Sequence, residues 1–143
     1  MDKKDIFEFL SNGGKLLGQL GLQIYGESLT KVGEQAFSEA IEIGIINTIA
    51  TLYEAKVPDE EILRVVNAHW GIDQHEVSDR LIFEKQQATI RSLEKYLKLQ
   101  GYSKNEMREF MKKENAKDKI RHNKDLWQLK DKPEKLMNAI SSK

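Results

Sequence analysis

Residues 43–53 form an uninterrupted run without a single charged side chain, inside a stretch from 34 to 55 that holds no proline. At 100° per residue, Phe37, Ile41, Ile45, Ile49 and Leu52 fall on one helical face. Ala36, Ala40, Gly44, Asn47 and Thr51 make a second face of small side chains beside it. A helix apolar around so much of its circumference has to be covered by other elements. The small face admits one neighbour at close range. The chain is therefore expected to fold as an all-α, compact bundle of five to seven helices around a buried central helix spanning about 34–56.

Helix starts recur in one form: an apolar residue, a capping residue, an acid three positions later, then another apolar residue. This is the capping box joined to a hydrophobic staple. Ile72-Asp73-Gln74-His75-Glu76-Val77 and Tyr102-Ser103-Lys104-Asn105-Glu106-Met107 match it fully. Met1-Asp2-Lys3-Lys4-Asp5-Ile6 matches with Asp as the acid, and Val57-Pro58-Asp59-Glu60-Glu61-Ile62 places proline at the cap. Stops are equally legible. Gly13-Gly14 ends a first helix, Pro58 limits the central one, and Gly71 and Gly101 close the next two. Leu16, Leu17, Leu20 and Ile24 give residues 15–25 helical spacing, and Gly18 and Gly21 suit close packing on the small face.

The helix from Gln74 to about Gln100 loses its apolar stripe through Glu84-Lys85-Gln86-Gln87, where a bend or break is expected. Val77, Leu81 and Ile82 open that stripe, and Ile90, Leu93 and Leu97 continue it. On the helix before it, Ile62, Val65, Val66 and His69 share a side, which expects a core histidine. Beyond Met107, Phe110 and Met111 the chain turns polar, and residues 112–119 offer no apolar face. Residues 104–143 therefore read as a more exposed basic arm, packed on the same single domain as a helical core over 1–103. No alternating β-branched run and no Asn-Gly or Asp-Gly turn occurs.

Charge is large in amount, null in sum and unevenly placed. Charged residues make up 32% of the chain, more than the common share of about 25%, yet 23 basic and 23 acidic side chains cancel. Residues 27–79 hold eleven acids against three bases, a net of −8, while residues 104–143 hold twelve bases against seven acids, a net of +5. Segregation of this kind marks surfaces for partners of opposite sign, or for a second copy. The acidic candidates for contact with another protein are Glu34, Glu39, Glu42, Asp59, Glu60 and Glu61. The basic candidates are Lys112, Lys113, Lys117, Lys119, Arg121 and Lys124 with Trp127, which suit phosphates and a stacked base. Against the nucleic-acid reading, lysine outnumbers arginine 18 to 5 and acids interrupt the row.

Catalytic and metal chemistry find little support. With no cysteine the chain has no thiol nucleophile and no cysteine-based metal site. His69 and His75 lie six apart across a helix break, unlike the i, i+4 pair of a zinc helix. No serine sits in a GxSxG elbow. Asp59, Glu60 and Glu61 occupy a first helical turn, where acids complement the dipole. No cofactor, metal or membrane partner is expected. The opening residues lack a long apolar core and no run of 18 apolar residues occurs, so the expected location is cytoplasmic. The function these features favour is that of a non-enzymatic interaction module, a regulator or inhibitor that binds another protein and forms homo-oligomers. A nucleic-acid-binding accessory protein using residues 104–132 is the alternative.

Overall fold

The computed structural model describes residues 31–142. The helix starts and glycine-spaced leucines read between Met1 and Tyr25 lie outside the described residues. The fold is all-α, with seven helices and no strand among the described residues. In chain order they are α1 (Lys31–Glu54), α2 (Asp59–Trp70), α3 (Gln74–Leu99), α4 (Lys104–Lys113), α5 (Ala116–His122), α6 (Lys124–Trp127) and α7 (Pro133–Ser141). Among the described residues no helix is long and apolar enough to cross a membrane.

The ends of these helices follow the local chemistry. At α4 the Ser103 hydroxyl accepts from the Glu106 amide at 3.2 Å, and the Glu106 carboxylate accepts from the Ser103 amide at 2.6 Å. Both halves of the box are present, and they hold the Glu106 carboxyl below its ordinary value, the Ser103 backbone bond foremost. At α3 only half forms, because Asp73 accepts from the His75 amide while Glu76 turns to Arg80. At α7 the cap is Lys132 with no side-chain bond, and Pro133 follows it. Gly71 and Gly101 both take positive φ, as helix-ending glycines do. Lys56 does the same at the end of α1 with φ 61°, and no glycine signals it.

The chain divides into two units, Met1–Ile82 and Phe83–Lys143, and the boundary falls within α3. In the first unit, Ile45 and Ile49 of α1 are buried in one cluster with Ile62, Val66, Trp70, Val77 and Leu81. Full burial of such side chains contributes about 1.5–3 kcal/mol each. Gly44 lets the indole of Trp70 lie directly on the α1 backbone. The Trp70 Nε1–H donates to Thr48 Oγ1 at 3.2 Å, and that hydroxyl donates to the Gly44 carbonyl at 2.7 Å.

Only one side of α1 is covered by described neighbours. On its other side Ile43 is 59% exposed and Ile46 45%, with Ala36, Ala40 and Asn47 also exposed. On α2 the buried row is Ile62, Val66 and Trp70, and His69, expected in the core, is exposed instead. The larger tryptophan one residue on takes the interior place, and a 100° step carries His69 outward.

In the second unit, Ile90, Leu93 and Leu97 of α3 pack with Met111, Ala116, Ile120, Leu126, Leu136 and Ile140. Residues 112–119 thus send one side chain inward after all: Ala116 is fully buried, as is Ile120 just past the segment. A sharp turn at Asn115, with φ 49°, rotates α5 so that these two point inward. Several side chains bond backbone carbonyls of this unit. Ser92 donates to Lys130 O, Gln86 to Arg121 O, Lys119 to Ile140 O and Trp127 Nε1–H to Ile120 O. No break interrupts α3 at residues 84–87. Glu, Lys and Gln are good helix formers, so the ladder survives where the apolar stripe lapses. Buried Glu84 is paired there with Arg91, while Ile82 and Phe83 are exposed.

Candidate functional site

The acidic residues do not gather on one surface. Glu34 lies in the first turn of α1, and Asp59, Glu60 and Glu61 open α2, just past the other end of α1. At 1.5 Å per residue, Glu34 and Glu54 are about 30 Å apart along the helix. Several of the six also have partners within the chain. Glu42 accepts from Arg80 at 2.5 and 3.1 Å, and Glu61 is bonded by Arg64. The Arg80 hydrogen bond is the main reason the Glu42 carboxyl lies below its ordinary value; Arg64 acts on Glu61 in the same way. Glu39 accepts from Gln35.

The basic segment divides as well. Lys119 is half-buried and donates to the Ile140 carbonyl at 2.7 Å, which makes it part of the scaffold. Trp127 is half-buried and its indole N–H reaches the Ile120 carbonyl at 2.6 Å. Lys113, Arg121 and Lys124 are exposed, and none of the three lines the groove described next. Lys112 and Lys117 do line it, and they are joined there by residues of α3, α4 and the turn at Asn115.

This groove encloses about 450 Å³. Its first wall is α4, whose sequence sorts into zones by helical angle. Lys104, Arg108 and Lys112 follow at i, i+4 and i+8, a row about 12 Å long. Met107 and Met111 form a second row beside it, half-buried and buried respectively. Phe110 turns further inward and meets Tyr102 edge-on at 6.1 Å. Glu106 and Glu109 lie on the far side, and Glu106 is held back by Ser103. Lys117 at the start of α5, Asn115 in the turn and half-buried Glu94 of α3 complete the lining.

Four cations thus face one carboxylate around a floor of two thioethers. Among the described residues, none of Lys104, Arg108, Lys112 and Lys117 is in an ion pair. Their field acts on whatever enters, strengthened where low-dielectric walls confine it. Methionine floors suit apolar side chains of varied shape, because the unbranched thioether adapts. The groove holds no histidine, serine or close carboxylate pair that would carry acid–base or nucleophilic chemistry. Among the described residues no group of three or more His, Asp or Glu side chains is placed to hold a metal ion.

Comparison with protein-family models, with characterised proteins and with solved structures finds no match for this chain.

Lys104, Met107, Arg108, Met111, Asn115 and Glu94 were not among the residues that charge counting singled out. The i, i+4, i+8 row of cations beside an i, i+4 pair of methionines was the available signal. Nothing local points to Glu94, which lies ten residues before α4 begins.

Proposed function

We propose that this chain is a non-enzymatic protein-interaction module, a regulator or inhibitor that binds an acidic segment of another protein through the groove along α4. The observation that carries the reading is the row of Lys104, Arg108 and Lys112, joined by Lys117 and without ion-pair partners among the described residues, beside the Met107–Met111 row. Cations alone would suit any polyanion. The apolar floor adds a demand for aliphatic or aromatic side chains next to the negative charge, which an acidic peptide satisfies. Nucleic acid, the second reading, wants aromatic platforms under its bases. The tryptophan of the basic segment is half-buried and hydrogen-bonded to Ile120, and no aromatic residue lines the groove.

Self-association belongs to the same reading. Ala36, Ala40, Ile43, Asn47 and Ala50 alternate spacings of four and three along α1, the seam pattern of paired helices, and Ile43 is 59% exposed. Light scattering after size exclusion should return more than one copy per particle.

The groove is tested with fluorescent peptides rich in glutamate and leucine, titrated at low and moderate salt. Binding should weaken with salt and should be lost in the triple variant Lys104→Glu, Arg108→Glu, Lys112→Glu, which changes only exposed side chains. A parent protein that binds no acidic peptide at low salt would overturn the proposal.

A further inference from the structure

We infer that the segment this groove accepts is an amphipathic helix, with carboxylates at i, i+4 and i+8 beside an apolar row, lying along α4. The inference rests on the groove being the protein-binding surface and goes on to name the partner's chemistry and conformation.

Two rows meet the ligand along one wall, cations at Lys104, Arg108 and Lys112 and thioethers at Met107 and Met111, and both repeat every four residues. That repeat is about 6 Å along the helix axis. An occupant must present two matching rows side by side and on the same face. A second helix does so with the same 6 Å repeat, an i, i+4 row of acids next to an i, i+4 row of apolar side chains. An extended strand sends alternate side chains to opposite faces, so only one row can face the groove at a time. Laying an apolar helix face into such a channel is a known mode of peptide recognition. A volume of about 450 Å³ holds inserted side chains but not a whole helix, so the partner rests across the mouth.

Two peptides of one composition and about 18 residues, five turns, test this. One arranges its glutamates at i, i+4 and i+8 beside leucines. The other scatters the same residues around the helix, and a single-stranded oligonucleotide of equal charge is the third probe. Anisotropy at low salt should show the patterned peptide binding at least about tenfold tighter than the scattered one, with a gain of helical circular dichroism on binding. The double variant Arg108→Glu, Lys112→Glu should lose that binding and recover it with a peptide whose glutamates are replaced by lysines. Equal affinity for both peptides, without helix induction, sinks the helical inference and leaves the groove as a protein-binding surface. No binding of either peptide sinks both readings. Tighter binding of the oligonucleotide, abolished by the same double variant, replaces both with nucleic-acid recognition.

Discussion

Replacing Gly44 by alanine sets two physical effects against each other in one position. Helix propensity favours alanine over glycine by about 1 kcal/mol in a helix interior. The new Cβ, however, would stand 2.6 Å from Cη2 of Trp70 and 3.2 Å from Cζ2. The indole is only 8% exposed and donates to Thr48, so the ring cannot withdraw without losing burial and a hydrogen bond. Overpacking of this kind costs about 1–3 kcal/mol, and the weakened hydrogen bond up to about 1 more. The clash wins, and Gly44→Ala should destabilise by about 1–2 kcal/mol, read as a lower urea midpoint at unchanged slope.

Removing the obstacle should reverse the sign. In a Trp70→Leu background the space above Gly44 is open, and the alanine should stabilise by about 1 kcal/mol. The two substitutions are then coupled by roughly 2–3 kcal/mol. A Gly44→Ala protein more stable than its parent, or an equal effect in both backgrounds, would refute the argument that the ring dictates the glycine.

Two further outcomes follow from single residues. Lys56 holds φ 61° while its amide and that of Val57 bond the carbonyls of Tyr53 and Leu52; the left-handed conformation costs a non-glycine residue roughly 1–2 kcal/mol. Lys56→Gly should therefore raise stability by about 0.5–1 kcal/mol in urea titration, and Lys56→Ala should not. Arg80 bridges Glu42 and Glu76 and lowers the Glu42 carboxyl below its ordinary 4.5. A depressed folded value means the stabilisation is present above about pH 4.5 and fades as pH falls through the lowered value. Arg80→Ala should cost up to about 1 kcal/mol at pH 7. Parent and variant should converge as pH falls through the lowered value, and a gap that keeps its pH 7 size once the carboxylates are fully protonated would count against the bridge.

What was legible in the sequence was what depends on near neighbours. The Ser103 box, the turns at Gly71 and Gly101 and the helical state of the uncharged run 43–53 were read correctly because each is decided within a few residues. The position of His69 was misread because adjacent residues at the edge of a stripe differ by one 100° step. Packing against α1 then gave the interior to Trp70. Continuity of α3 through residues 84–87 was obscured because an apolar stripe reports covering by neighbours, whereas the helix itself needs only propensity and a hydrogen-bond ladder. Charge counts located acidic and basic regions but not distance along a helix, so the six acids looked like one surface. The α4 side of the groove could be read from the spacing of Lys104, Arg108 and Lys112 beside Met107 and Met111. The rest came from tertiary placement, which brought Glu94 and Lys117 to the same groove.

One helix serves both cores, and this bears on any attempt to dissect the protein. Severing the chain at residues 71–73 would take Val77 and Leu81 from the first cluster, and severing it at Gly101 would take Ile90, Leu93 and Leu97 from the second. A cut at 82/83 would leave two frayed half-helices, each short of its former ladder. No place along α3 yields two self-sufficient fragments, so deletion mapping of binding regions would report unfolding where it appeared to report contact.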